Sequence, residues 1–245
     1  MPELIVNIDW LLSHPIDLKD LRRDLWAWGS VPHTKKVLQA LLAILKKYKV
    51  TATFFISGVC AGQNKDEVLK IKNAGHEIGL HGYRHVPYDM PYCAMLHDMF
   101  EANSVFGDLG IVAEGFRAPW LIANENTERA AQTLGLKYVS NVKSKTSLQR
   151  SDKFNLVKLP IYLDDQAFLQ KNPVDALLNS SQEGRVFEFH LLYVRHNLRV
   201  LEEFLSRLEI ETAPLSRIAD GAKSLGLSFD IAYLNRLELP KKLFW

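Results

Sequence analysis

The sequence predicts an α/β domain built on a mainly parallel sheet. The chain has 245 residues, of which 47% are hydrophobic and 24% charged, so it is long enough to bury a large core. Short apolar runs rich in β-branched and aromatic residues alternate with longer amphipathic segments, which is typical of parallel βα units. No internal repeat, low-complexity tract or linker divides the chain. Residues 1–245 are therefore expected to form one domain.

The predicted strands are apolar runs bounded by polar or turn residues. In chain order they are ELIVNI, TATFFIS, HEIGLH, VAEGFR, LKYVSN, LVKLPIYL and RVFEFH.

The predicted helices are segments whose apolar residues recur with helical spacing. They cover residues 34–48, 65–73, 91–106, 125–134, 175–179, 197–208 and 215–225. Two segments fit the alternation poorly, namely the tryptophan-rich stretch 11–30 and the tail after Ser228. Loops of this length in a compact domain are usually functional or partly disordered.

Charge and hydropathy exclude several classes of protein. A net charge of +2 without a basic stripe argues against nucleic-acid binding. No stretch approaches the roughly 20 apolar residues that a membrane span needs. The first residues lack the basic and apolar regions of a signal peptide, so we expect a cytoplasmic protein. Cys60 and Cys93 are expected to be buried thiols, because two cysteines do not indicate a disulfide framework.

Polar residues end the predicted strands at chemically suggestive places. Asp9 ends the first strand, His81 the third, Arg117 the fourth and His190 the last. In a parallel barrel, catalytic residues lie at the carboxyl ends of the strands and face one mouth. These residues are therefore candidates for one functional site.

Each candidate also has a plain structural interpretation. His81 and His85, four apart in GHEIGLHGYRH, have the spacing with which two imidazoles bind one divalent ion, but this spacing is common, and exposed or helix-capping histidines are the alternative. Asp9 could cap a turn. His190 lies among apolar residues that would keep it neutral, as would also hold for a core histidine.

Several motifs together carry a family resemblance. TATFFISG, GHEIGLHGYRH, GFRAPW, LGLKYVSN and FEFH occur in the order and approximate spacing of the polysaccharide deacetylase family, the NodB-homology group or fourth carbohydrate esterase family. The resemblance covers about residues 4–225. It implies a distorted (β/α) barrel of seven or eight strands and hydrolysis of an N-acyl group, acetyl or formyl, on an amino sugar.

The resemblance also implies roles for particular residues. His81 and His85 would ligate a divalent metal, usually zinc. Asp9 would be the base that acts on metal-bound water, and His190 would protonate the leaving amine. This division fits the chemistry, since a metal lowers the pKa of bound water to about 7 and an amine anion cannot leave unprotonated.

Substrate-binding roles follow in the same way. Arg117 would orient the base, and Trp120 and Tyr138 would line the acyl or sugar pocket. LPIYLDDQAF places Asp164 and Asp165 just after a strand, and a similar acidic pair occurs in the allantoinase-like branch of the family. Asp165 is therefore a further site candidate, with a simple turn at a strand end as the alternative.

The first motif departs from the family pattern. Relatives usually carry a second acid directly after the base or two positions on, as the third metal ligand, but here those positions are Trp10 and Leu11. The alternatives are that Asp9 itself binds the metal, that an acid or histidine of the following loop substitutes, or that no metal is tightly bound. The loop candidates are His14, Asp17 and Asp20.

Three functional hypotheses follow. The first is a metal-dependent hydrolase of a small or lipid-linked N-acylated sugar, since WGSVPHTKKVLQALLAILKKYKVTATFF resembles the branch of cytoplasmic deformylases and allantoinase-like enzymes. The second is a metal-independent hydrolase of a cyclic or ureido amide. The third is an inactive sugar-binding homologue. The sequence leaves open whether the chain forms a homo-oligomer.

Overall fold

The computed structural model describes residues 5–10, 31–145, 149–151, 153–183, 186–209 and 212–224. The loop candidates for a metal ligand, His14, Asp17 and Asp20, lie outside the described residues. For residues 5–10 the backbone is described and the side chains are not, so Asp9 is located by its strand register alone.

The described strands form one sheet in which every pairing except that of β6 with β7 is parallel. The order is β6-β7-β5-β4-β3-β2-β1-β8, and only β6 pairs antiparallel, with β7. This confirms the predicted α/β class with a mainly parallel sheet. The strands are β1 Ile5–Trp10, β2 Ala52–Ile56, β3 Glu77–Leu80, β4 Gly115–Phe116, β5 Tyr138–Val139, β6 Gln149–Arg150, β7 Val157–Lys158 and β8 Val186–His190.

The helices follow the predicted alternation, with three differences. A six-residue helix after β2 was not predicted, because so short a segment carries no clear period. The helix predicted at 175–179 is longer, and the one predicted at 197–208 begins directly after β8, since a non-helical Asn197 interrupts its periodicity. The helices are α1 Val31–Lys47, α2 Gly58–Gln63, α3 Lys65–Asn73, α4 Tyr92–Asp108, α5 Glu125–Thr133, α6 Pro173–Glu183, α7 Leu191–Arg207 and α8 Leu215–Ser224.

The two ends of the sheet approach each other after β7. The Tyr162 N–H donates to the Val186 carbonyl at 2.8 Å, and the Glu188 N–H donates to the Leu163 carbonyl at 2.8 Å. Leu163 and Phe187 form a single parallel bridge. The curved sheet thus meets itself at one bridge instead of a continuous ladder, as in a distorted barrel.

Helix α8 covers the end of the sheet where the strands begin. The Leu215 N–H donates to Thr53 Oγ1 at 3.0 Å, and the Ser216 N–H donates to Glu77 Oε2 at 3.1 Å. Thr53 and Glu77 lie near the starts of β2 and β3. Helix α8 therefore lies at the end of the sheet opposite the carboxyl ends of the strands, where His81, Arg117 and His190 lie.

Two glycines let aromatic rings fill the interior. Phe55 pairs with Gly79 in register, and Tyr138 pairs with Gly115. A Cβ at Gly79 would lie 2.6 Å from Phe55 Cε1, and one at Gly115 would lie 2.0 Å from Tyr138 Cζ. The two rings pack edge to face with centroids 6.4 Å apart, so the interior depends on the absence of these side chains.

The surface yields two further observations. Cys60 is buried but Cys93 is exposed, so the expectation of two buried thiols is wrong for Cys93. Within the described ranges, no helix is long and apolar enough to cross a membrane.

We predict that Gly115→Ala lowers the free energy of unfolding by about 1–3 kcal/mol or more, because the added methyl group would overlap the Tyr138 ring. Urea unfolding followed by circular dichroism measures this. Gly107→Ala is the control, since Gly107 lies in α4 with open space around it and the change should be neutral or stabilising by up to about 1 kcal/mol. Equal stability of the two variants would contradict the packing argument.

Candidate functional site

The histidine pair lies in the loop that follows β3. His81 Nδ1 is 2.8 Å from the Arg117 carbonyl oxygen. A carbonyl only accepts, so Nδ1 carries the proton and Nε2 keeps the lone pair that a metal would need. The His81 and His85 ring centroids are 4.8 Å apart. Burial lowers the pKa of His81 to about 3, so the imidazole is neutral near pH 7, as a metal ligand must be.

A buried aspartate on α4 anchors this loop. Asp98 Oδ1 accepts hydrogen bonds from the Tyr83 N–H and the Tyr88 hydroxyl, both at 2.7 Å. Asp98 Oδ2 accepts from the Arg84 side chain at 3.2 Å and from its N–H at 3.4 Å. Asp98 is fully buried, and these donors compensate its charge. Nothing in the local sequence distinguishes Asp98 from other acids on helices, so the sequence does not predict this role.

Unusual backbone conformations concentrate around the pair. His85, Trp120 and Leu121 have φ values of 55°, 53° and 59°, in the left-handed region that non-glycine residues rarely adopt. The Trp120 ring packs edge-on against His85 with centroids 4.6 Å apart. Each such conformation costs about 1–3 kcal/mol and persists at functional sites when the surroundings enforce it.

His190 is held by Asp165. Asp165 begins the 3-10 turn Asp165–Leu169, and its carboxylate accepts the His190 N–H at 3.0 Å and contacts His190 Nδ1. Burial raises the pKa of Asp165, and the bond to His190 opposes that rise. This contact fixes the ring orientation and the tautomer of His190. The sequence analysis placed Asp165 among substrate-binding candidates, whereas its described contacts make it a partner of the histidine.

Arg117 lies inside the barrel. Its Nε donates to the Ser140 carbonyl at 3.0 Å, its Nη2 to Ser140 Oγ at 2.7 Å and its Nη1 to Glu188 Oε1 at 3.3 Å. The guanidinium also lies over the Phe55 ring at 4.5 Å. Glu188, two residues before His190, was missed by the sequence analysis, although a charged residue within an apolar strand is a visible signal.

The remaining candidates are divided between the mouth and the interior. Asp9 pairs in register with His190 and with Phe55, so its backbone lies at the carboxyl end of β1 next to β8. Trp120 is 56% exposed beside the histidine pair. Tyr138 is fully buried and its hydroxyl donates to Glu77 Oε1 at 2.9 Å, toward the opposite end of the sheet.

The described side chains that could bind a divalent metal are those of the histidine pair. Among residues whose side chains are described, no three His, Cys, Asp or Glu side chains converge. His81 and His85 nevertheless present two close imidazoles, one of them neutral and fixed through Nδ1, which suits a borderline-soft divalent ion. A third ligand would have to come from a side chain that is not described, and Asp9 is one of these.

The arrangement matches a known family. Residues 28–139 match the family model described as polysaccharide deacetylase. The match covers 112 of the 245 residues, and this part of the chain is similar to the polysaccharide deacetylase family. The match agrees with the resemblance carried by the motifs in this range, which includes His81, His85, Arg117 and Trp120.

Two curated relatives match shorter segments. A peptidoglycan deacetylase of Helicobacter pylori is 32% identical over 100 residues, which is 40% of this chain and 34% of the relative. Bacillus subtilis YlxY is 42% identical over 59 residues, which is 24% of this chain and 17% of the relative. The matches thus span about a third or less of these relatives' lengths.

Solved structures share the fold at low sequence identity. A polysaccharide deacetylase homologue of Mycobacterium smegmatis superposes with a TM-score of 0.74 at 20% identity, covering 97% of this chain and 99% of that one. Puue allantoinase superposes with a TM-score of 0.74 at 15% sequence identity, and the match covers 91% of each chain. BA3943 is a pseudoenzyme of carbohydrate esterase family four from Bacillus anthracis. It superposes with a TM-score of 0.59 at 17% sequence identity, and the match covers 89% of this chain and 66% of that one.

We predict that Asp98→Asn weakens zinc binding by about 10- to 100-fold, because the loop that presents His81 and His85 loses its charged anchor. Chelator competition measures the affinity. Hydrogen exchange at the Tyr83 and Arg84 amides gives a second readout that does not depend on metal, and both amides should exchange faster in the variant.

Asp108→Asn, at the exposed end of the same helix, is the control. Unchanged exchange and unchanged zinc affinity in Asp98→Asn would show that the loop does not depend on this carboxylate.

Proposed function

We propose that this protein hydrolyses the N-acyl group of an amino sugar with the help of a divalent metal, with zinc as the first candidate. The observation that supports the proposal is that two preformed histidine arrangements follow the carboxyl ends of strands in the same parallel sheet. His81 and His85 follow β3, and His190 with its partner Asp165 ends β8.

The residues divide the chemistry in a simple way. A bound divalent ion would supply an activated water and polarise the acyl carbonyl. His81 and His85 would hold the ion, with Asp9 as a further ligand or as the base that takes the proton of the attacking water. His190 would then deliver a proton to the nitrogen that leaves, because an amine anion is too poor a leaving group.

Supporting residues keep this geometry fixed. Asp165 orients His190 for proton transfer, and a wrongly turned imidazole could not reach the leaving nitrogen. Arg117 holds His81 through its backbone carbonyl, while its side chain is neutralised by Glu188 below the site. These contacts exist before any substrate arrives, which is the preorganisation that catalysis requires.

Two exposed aromatic residues suggest how the substrate lies. Trp120 packs beside His85, while Tyr193 is 44% exposed with its ring 6.4 Å from that of His190. Since His190 would protonate the nitrogen attached to the sugar, the sugar ring is expected on the Tyr193 side. The acyl group would then face Trp120.

The substrate is proposed as an N-acetylated or N-formylated amino sugar, small or lipid-linked and made in the cytoplasm. The relative named for peptidoglycan deacetylation favours acetyl over formyl as the first probe. N-acetylglucosamine oligomers and their N-formyl counterparts are therefore the substrates to compare, with released acetate or formate as the readout.

Trp10 favours a second candidate. This residue ends β1 where the family resemblance leads one to expect an acid. A metal-independent amide hydrolase, or a protein that binds sugars without turnover, would tolerate this change. Full activity after exhaustive chelation of metals would indicate the metal-independent hydrolase. Saturable sugar binding without release of the acyl group would indicate the sugar-binding protein.

We predict that the purified protein contains close to one zinc ion per chain, or another divalent metal, and that both His81→Ala and His85→Ala remove it. Elemental analysis measures the content. His97→Ala, an exposed histidine on α4, is the control and should retain the metal. Wild-type protein that stays free of metal after incubation with zinc would rule out the metal-dependent mechanism.

We predict that Asp165→Asn lowers kcat by about 10²-fold with little change in KM, because general acid catalysis is worth about 10²–10⁴ and depends on the orientation of His190. Steady-state acetate release from N-acetylglucosamine oligomers measures both parameters. Asp175→Asn, an exposed acid on α6, serves as the matched control. A variant with wild-type kcat would remove Asp165 from the mechanism.

A further inference from the structure

A cavity of about 420 Å³ lies beside the turn that carries Asp165. Its walls come from the chain after β7, the turn Asp165–Leu169 with the following Gln170, helix α6 and Lys143 in the loop after β5. The volume is within the range of about 300–1,000 Å³ typical of small-molecule sites. No role considered above for the histidine pair, Asp9 or His190 uses this space.

The cavity is close to electrically neutral. Its charged side chains are Lys143 and Asp164, and they form an ion pair with each other. A phosphate or carboxylate would gain little from a lysine that is already paired, and a cation would gain little from the aspartate. The charge balance therefore favours an uncharged ligand.

The polar groups in the wall suit hydroxyl groups. Gln166 and Gln170, which are exposed, and Ser180, which is half-buried, line the cavity, and their side chains have no hydrogen-bond partner in the described part of the chain. Amides and hydroxyls both donate and accept, so together they can match a ring that carries several hydroxyl groups.

The rest of the wall is apolar and built from small side chains. Ala167 and Ala176 leave room near Leu163, and these surfaces can contact the C–H face of a saturated ring. A flat, fully apolar ligand would leave the amides unsatisfied, and this would cost binding free energy.

We propose that this cavity is a second binding site, separate from the histidine pair, for a neutral polyhydroxylated ring of hexose size. Such a ligand would contact Gln166 and Ala167, in the same turn as Asp165. The proposal is based on the residues that line the cavity and on their charge balance. It therefore holds whether or not the protein hydrolyses an N-acyl group.

The experiment is a titration of the ¹⁵N-labelled 245-residue chain with methyl β-glucoside. This probe is a neutral hexose without an acyl group, so the proposed reaction cannot consume it. Saturable shift changes are expected at the amides of residues 164–170 and 176–180, with a dissociation constant of about 1–10 mM. His81→Ala should bind the probe equally well.

Two sets of variants locate the site. Ala176→Trp should fill the cavity and weaken binding at least 10-fold, while Asn179→Trp, on the exposed side of the same helix, should bind like the wild type. The double variant Gln166→Ala/Gln170→Ala removes the polar partners without filling space and should also weaken binding, even if Ala176→Trp does not fold.

Several results would overturn the proposal. These are the absence of saturable shifts at 100 mM probe, shifts confined to residues 81–85 and 190, and unchanged binding in both Ala176→Trp and the glutamine double variant. Tighter binding of inorganic phosphate than of the glucoside at residues 164–170 would overturn the neutral ligand class. Failure of acyl hydrolysis with glucoside binding intact would count against the proposed function alone.

Discussion

The buried guanidinium of Arg117 ties the interior of this protein together. A charge removed from water is costly unless hydrogen bonds and an opposite charge compensate it. Here Ser140 of the segment after β5 and Glu188 of β8 supply both, while the Phe55 ring of β2 covers one face. One residue at the end of β4 thus links strands on both sides of the barrel.

Arg117 also determines which nitrogen of the His81 ring carries the proton. The Arg117 carbonyl fixes the Nδ1 proton of His81, and burial keeps that imidazole neutral. A carboxylate supports each of the two histidine arrangements through hydrogen bonds. Asp98 binds the loop that carries His81 and His85, and Asp165 binds His190. Hydrogen bonds to such supporting acids are what keep functional imidazoles in one orientation. The left-handed conformation of His85 is consistent with a loop held in place by these surroundings.

Trp10 occupies a position where the family resemblance predicts an acid, and Glu188 is a buried acid of the described interior that could be considered in its place. The family resemblance implies an additional acid near the metal, whereas the described interior holds Glu188 in an ion pair with Arg117. That carboxylate is committed to neutralising a buried cation, so it does not join the histidine pair. The sequence alternatives therefore remain those of Asp9 as a ligand, of a ligand from the loop after β1, or of a protein without a tightly bound metal.

Sequence by itself determined the local features of this protein. Alternating apolar runs predicted the parallel α/β sheet, and the strand-end residues Asp9, His81, Arg117 and His190 were identified as one group. Only the tertiary structure decided the partners of those residues, since Asp165 and His190 are 25 residues apart and Arg117 and Glu188 are 71 apart. It also placed the Tyr138 hydroxyl toward Glu77, away from the mouth. Periodicity reports which face of an element is buried, but it does not report which side chains from distant elements meet there. Those meetings depend on strand register and on close approaches such as Gly115 to Tyr138, which only the folded chain defines.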